Sequence, residues 1–343
     1  MPNHSLKAIA TCGRPLTTLR GLLASLGATL LLSTFFAGAP AHAADAYPSR
    51  PVRIIVPYAP GGSVDLLARA LGAKLSERWK REVIIDNKAG ASEIIGATAV
   101  ANAKPDGYTL LLGTDVGLQS NEFLFSKLAY GPSSFSPVIR IAETPLVLVV
   151  RTDSPYNTMA QLVEAAKRAP GKISYGSSGV GGHVHIALNW LGVKAGVQFN
   201  HVPFKGGAPA VQGLLSGDVD LTAVPYAAVE TFIKSNMLRP IAVSSARRIP
   251  VLSTVPSLTE LGYEVNVQVL NALVAPANTP KEIVTKIADD VRQIVVIPDF
   301  AAQNIDRYGY FTIGDTPAEF ADYLVKDRDR RRARIAAANV KLD

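Results

Sequence analysis

The chain has 343 residues, 48% hydrophobic and 18% charged, which is ordinary globular composition and enough for two domains. Its formal net charge is +7, and much of the basic excess lies in residues 326–335 (KDRDRRRARI). Acids alternate with bases there and no aromatic interleaves, so a solvated helix face is expected and a nucleic-acid surface is disfavoured.

In chain order, the N-terminal region comes first. Lys7, Arg14 and Arg20 are basic, no acid occurs before Asp45, residues 22–39 are apolar and small, and Ala41-His42-Ala43 fits a small-x-small cleavage site. Residues 1–43 are therefore expected to be a secretory signal peptide. Pro15 follows Arg14, so the twin-arginine route is excluded and a Sec-type signal remains. An uncleaved anchor is the alternative, disfavoured because Gly and Ser interrupt the run. The only cysteine, Cys12, precedes that run. A mature chain then has no disulfide, thiol nucleophile or zinc–thiolate site, and loss of the three basic residues takes its charge to +4. No second apolar segment reaches spanning length, and a soluble periplasmic protein is expected.

Strands and helices then alternate. VRIIVPY is strand-like, SVDLLARALGAKLSERW carries Leu67, Leu71 and Leu75 on one helical face, EVIIDN is a strand, ASEIIGATAVANA a helix and YTLLLGT a strand. This order implies a doubly wound parallel sheet. It restarts at PLVLVVRTD and runs through NTMAQLVEAAKR, KISYGSSG, HVHIALNWLGVKAG, VQFNHVPF, APAVQGLLSG, VDLTAV, YAAVETFIKSN and LRPIAVSS. A long apolar strand, VNVQVLNALVAP, leads into two closing helices, too few to form a sheet alone. The expectation is a chain that leaves one domain, builds a second and returns. Domain 1 is then 44–149 with 267–343 and domain 2 is 150–266, with crossings near 149–152 and 266–271.

Glycine-rich turns follow several strands: PYAPGGS, DNKAGAS, LLGTDVG, YGSSGVGGH and PFKGGAP. In doubly wound sheets ligands gather at the carboxyl ends of strands. Glycine there permits close approach or positive φ, and each following helix offers unpaired N–H groups. Together the turns describe an anion site. A P-loop string is absent, and Gly179-Val180-Gly181 lacks the last small residue of a dinucleotide fingerprint, since Val184 stands there. His183 and His185 are two apart on a helix and cannot readily share a metal. Asp65 and Arg69 read as an i,i+4 pair and Asp218 and Asp220 as flanks of a strand start. No acid, base, thiol or metal set converges, so no enzyme and no cofactor is expected. The alternatives are a secreted hydrolase using a Ser of GSSG with His185, and a ligand-sensing accessory of a membrane receptor.

The ordered strings PYAPGGS with Asp65 and Arg69, DNKAGAS, KPDGYTLLLGT, YGSSGVGGHVHIA, VPFKGGAPAVQGLLSGDVDL and RRIPVLSTVPSLTELGYEV resemble the substrate-binding proteins of tripartite tricarboxylate transporters, the Bordetella uptake gene (Bug) family. The resemblance covers essentially the whole mature chain. It implies a periplasmic two-domain clamshell with a hinge and central cleft, a small carboxylate as ligand, and membrane permease subunits as partners of a monomeric protein. It further implies that Tyr58, Pro60, Gly61, Gly62 and Ser63 grip the carboxylate from one side. Ser177, Ser178, Gly179, Gly181, Gly182 and the following helix start would do so from the other, with Thr114 and Asp115 facing the cleft. His185 matches a frequent family residue, and Gly182 departs from a usual hydroxyl. Val224 stands where an acid often occurs, which with Tyr226 favours a di- or aromatic carboxylate over an amino acid. Asp115 departs from the family without an explanation in the sequence.

Overall fold

A computed structural model describes residues 47–342. The expected signal peptide lies outside the described residues. The chain forms β1 (Val52–Val56), α1 (Ser63–Trp79), β2 (Val83–Asn87), α2 (Ile94–Ala101), β3 (Thr109–Gly113), a short α3 (Asn121–Leu124) and the 17-residue β4 (Phe135–Arg151). Next come α4 (Met159–Arg168), β5 (Ser174–Ser177), α5 (His183–Ala195), β6 (Asn200–Pro203), α6 (Gly207–Ser216), β7 (Leu221–Pro225), α7 (Glu230–Lys234) and β8 (Leu238–Val243). The chain closes with β9 (Gln268–Pro276), α8 (Lys281–Val295), α9 (Pro298–Asn304), β10 (Phe311–Thr312) and α10 (Pro317–Ala338). Among the described residues no helix is long and apolar enough to cross a membrane.

The strands join in the order β2-β1-β3-β9-β4-β7-β5-β6, and β8 and β10 each pair with β4 outside that order. The β1, β2 and β3 strands are parallel, as are β5, β6 and β7 within the second unit. The returning strand β9 lies antiparallel to both β3 and β4, so the sheet is mixed rather than all parallel. Strand β4 is shared: Phe135–Pro145 pair with β9 and Leu146–Val150 pair with β7. Its first half carries Pro137 and Pro145 and two register shifts, which masks it as a strand in the sequence.

The two sheet halves are each buried on both faces, which is why their strands read as continuous apolar runs. Ile54, Leu110 and Leu112 meet Leu67, Leu71 and Leu75 of α1 and Ile287 and Val291 of α8. Ile55, Leu111 and Val274 face the other way, toward Ala97 and Val100 of α2 and Phe320 of α10. In the second lobe Leu148 and Val150 pack under α4 and α5, and Val147 and Val149 under α6. The architecture is thus two doubly wound α/β lobes around one shared strand. The stretch expected as one helix at YAAVETFIKSN is a 3-10 turn, Tyr226–Ala228, then α7, because Val229 (φ −126°, ψ −2°) leaves helical geometry between them.

Residues 326–335 are only partly the solvated face expected. Arg328, Arg330 and Arg332 are exposed, but Asp327 and Arg331 are buried one turn apart, above buried Ile335. The stripe faces inward because α10 packs against α5 of the second lobe.

Candidate functional site

Among the described residues three α-helices start at glycine. Gly62, Gly182 and Gly206 are the N-caps of α1, α5 and α6, and none of these termini has a side-chain cap. By contrast α4 and α10 are capped by Thr158 and Thr316. Side-chain caps normally occupy one of the orphan N–H groups at a helix start. Leaving them uncovered keeps donors and the positive end of the helix dipole available to an anion. Each of these three glycine-started helices follows the carboxyl end of a parallel strand, β1, β5 or β6.

The first turn is organised by Asp65, which is buried. Its carboxylate accepts from Arg69 Nε (2.9 Å), Gly61 N–H (2.8 Å) and Asn87 Nδ2 (2.9 Å). Burial would raise its pKa, but Arg69 and these donors outweigh it and hold the carboxyl below its usual value. The N–H of Gly61 is therefore spent inside the turn. Gly61 itself sits at φ +88°, the left-handed region that glycine enters freely. Pro60, Gly62 and Ser63 are exposed.

Tyr58 and Thr114 meet over Glu93, a residue the sequence analysis passes over. Both hydroxyls donate to Glu93 Oε1, and Thr114 N–H donates to Oε2 at 3.0 Å. The two hydroxyl oxygens lie 3.2 Å apart. Glu93 is buried, and burial pushes its pKa above the usual range against the pull of these donors. It closes a run of three left-handed residues, Ala91, Ser92 and Glu93, at φ 46°, 51° and 71°. A Cβ at Gly117 would stand 2.7 Å from Glu93 Oε2, so the carboxylate is accommodated only over glycine.

In the second turn Ser177 is buried, donates to the Gly179 carbonyl and touches His201 Nε2 at 2.6 Å. Gly179 and Gly181 have φ of +135° and +76°. His185 accepts the Gly181 N–H through Nδ1 (3.1 Å) and stacks on His201 with ring centres 3.9 Å apart. Burial pushes its pKa down to about 4, with His201 adding to the effect. The Ser–His contact is thus Ser177 with His201, not with His185, and Ser177 lies too deep to meet a substrate carbonyl. Ser178 is exposed at the turn, beside Gly182.

The structure accounts for Asp115. It is buried and engaged on both oxygens: Oδ1 accepts from Leu270 N–H (3.0 Å) and His183 Nε2 (2.9 Å), and Oδ2 from Arg331. Arg331 also binds Asp327 (2.7 Å) and Ser120 Oγ (3.2 Å). Burial opposes the charge on Asp115, but Arg331 and His183 hold its pKa far below the usual range. Burial lowers and Asp115 raises the His183 pKa, and the net shift is upward. This group joins the end of β3, the start of α5, β9 and α10.

Val224 and Tyr226, expected near the ligand, are both buried side chains. Both are buried in the apolar cluster with Val147, Val149, Val211 and Leu214. Their chain neighbours Pro225, Ala227 and Ala228 instead line a cavity of about 500 Å³ with Gly61, Ser63, Leu66, Tyr308 and Tyr310. First-turn residues and the end of β7 therefore share one concave surface. No group of three or more metal-ligating side chains occurs among the described residues.

A family model for the tripartite tricarboxylate transporter family receptor matches residues 67–336. The chain is similar to Protein BugT of Bordetella pertussis, 31% identical over 331 residues, which is 94% of this chain and 98% of that one. It is also similar in structure to R. palustris Rpa4515 with adipate (TM-score 0.77, 31% identity, 86% and 99% of the two chains). Another similar structure is MatC of Rhodopseudomonas palustris with bound malate (TM-score 0.72, 27% identity, 84% and 100%).

Proposed function

This chain belongs to the tripartite tricarboxylate transporter receptor family, and we propose that it is a periplasmic solute-binding protein for a small carboxylate. It captures that ligand in the cleft and delivers it, as a monomer, to membrane permease subunits of this transporter type. The observation that carries the reading is the trio of glycine-started, side-chain-free helix termini of α1, α5 and α6. A carboxylate supplies the acceptor that the chain withholds there. The contact set is Pro60, Gly61, Gly62 and Ser63 from one lobe and Ser178, Gly179, Gly181 and Gly182 from the other.

The ligand favoured is a dicarboxylate. Two related structures hold adipate and malate, and Leu66, Pro225, Ala227 and Ala228 offer apolar wall to a carbon chain. The lobes divide at 44–149 with 267–343 and at 150–266, and they close about the shared strand and the entry to β9. No bond is made or broken in this cycle, so the chain needs affinity and release rather than catalysis.

A thermal-shift screen of the purified mature chain against adipate, malate, succinate and aromatic carboxylates tests the reading. The matching amides serve as controls. A ligand at about 100 times its Kd adds roughly 2.7 kcal/mol of stability. Stabilisation by carboxylates and not by amides is expected. Equal response to both, or to neither, would remove the carboxylate assignment.

A further inference from the structure

The hydroxyls of Tyr58 and Thr114 each carry one proton, and both protons are directed at the same oxygen of Glu93. Thr114 Oγ1 in turn accepts the Val116 N–H at 3.2 Å. A hydroxyl whose proton is spent offers only lone pairs to a third group. The wall formed by the ends of β1 and β3 therefore accepts hydrogen bonds and cannot donate them. A carboxylate placed against it would meet lone pairs and no proton, a costly arrangement. The neighbouring turn at Gly62 and Ser63, at the uncapped start of α1, offers backbone donors instead. Carboxylate and wall must then sit at different points of the ligand.

From this the geometry points to Glu93 as a specificity-determining residue that turns Tyr58 and Thr114 into acceptors and selects a carboxylate bearing a hydroxyl on its carbon chain over its deoxy counterpart. The inference rests on the carboxylate-binding reading above. A hydroxyl fits better than an ammonium because three donors already satisfy Glu93, so an added positive charge would lack a close, unshared counter-charge. Glu93 acts by positioning: Tyr58, which is half-buried, is the group that meets the ligand.

The chemistry of a Glu93→Gln change makes a signed prediction. The Thr114 N–H is fixed by the backbone and must have an acceptor, so the amide oxygen faces it and the NH2 faces the two hydroxyls. Those hydroxyls can rotate, whereas the backbone donor cannot. They then receive from Gln and point their own protons outward, and the wall becomes a donor.

Calorimetric titration at about pH 8 reads this with pairs differing in one hydroxyl: malate and succinate, lactate and propionate, 2-hydroxyglutarate and glutarate. Aspartate and glutamate form the ammonium arm. In the wild type the hydroxy acid of the best-binding pair should be about tenfold or more tighter than its partner, and tighter than the amino acid. In Glu93→Gln the preference should vanish or reverse, with the deoxy acid gaining affinity. Tyr58→Phe, which leaves the buried carboxylate in place, should reduce the preference to about threefold or less. Circular dichroism and melting verify folding of each variant, and Tyr58→Phe carries the test if Glu93→Gln does not fold. Carboxylates that bind without hydroxyl preference, or a preference unchanged in both variants, overturn the role of Glu93 alone. Tightest binding by an amino acid overturns the hydroxyl assignment. Failure of all these acids together with failure of the wider carboxylate screen overturns the function itself.

Discussion

Removing Arg331 should be the most destabilising single change on α10. Its guanidinium is buried between Asp115 and Asp327, which are 1% and 3% exposed. Arg331→Ala removes the guanidinium that the two buried carboxylates share. Breaking a buried pair by deleting one partner costs about 3–5 kcal/mol. Asp115 would keep His183 and the Leu270 N–H, which places the expected loss near the lower end, about 3 kcal/mol. With a urea m-value of about 3 kcal/mol/M for a chain of this size, the midpoint should fall by about 1 M. Arg328 is the internal control, because its pair with Glu122 lies at the surface, and Arg328→Ala should cost about 1 kcal/mol or less. Urea unfolding followed by far-UV circular dichroism measures all three proteins. If Arg331→Ala loses no more than Arg328→Ala, the buried group is not the structural joint described above.

His183 should show a pH-dependent version of the same effect. Its pKa is raised in the fold, so its contribution is complete below the unfolded value of about 6.5 and is lost as pH rises through the folded one. His183→Gln should therefore cost more stability at about pH 5.5 than at about pH 9, and equal costs would contradict the pair. His185 has the opposite sign: its folded pKa near 4 means that stability is lost as pH falls from about 6.5 toward 4. Replacing it with Gln should flatten the acid limb of a melting-temperature profile. Gly61→Val and Gly62→Val should abolish carboxylate binding with little change in circular dichroism. Gly61 needs its left-handed φ, and a side chain at either position fills the space over the uncapped terminus of α1. Small-angle scattering should give a smaller radius of gyration with saturating ligand, and an unchanged value would argue against hinge closure.

Much of the fold is legible because its strands are buried on both faces and its helices carry a regular apolar face. Leu67, Leu71 and Leu75 point to α1 and its core without any tertiary information. The glycine turns are legible for a similar reason, since Gly61, Gly179 and Gly181 do occupy positive φ. What the sequence hides is pairing over long separations. Glu93 finds Tyr58 and Thr114 at 35 and 21 positions along the chain, and Asp115 finds Arg331 at 216. The glutamate that ends DNKAGASE, or one arginine within RDRRRAR, carries no local mark of such a partner. The placement of Val224 illustrates a related gap. In a strand, alternate residues face opposite sides, and the sequence alone leaves open which side of β7 holds Val224. The fold turns it into the core and leaves Pro225, Ala227 and Ala228 at the cavity.

The most direct measurement is a crystal structure of the mature chain with the tightest-binding carboxylate from the screen. Carboxylate oxygens should lie within about 2.7–3.2 Å of backbone nitrogens at the starts of both α1 and α5, with one lobe contributing each set. A ligand held instead by arginine or lysine side chains, or lying outside the cleft between the two glycine turns, would contradict it.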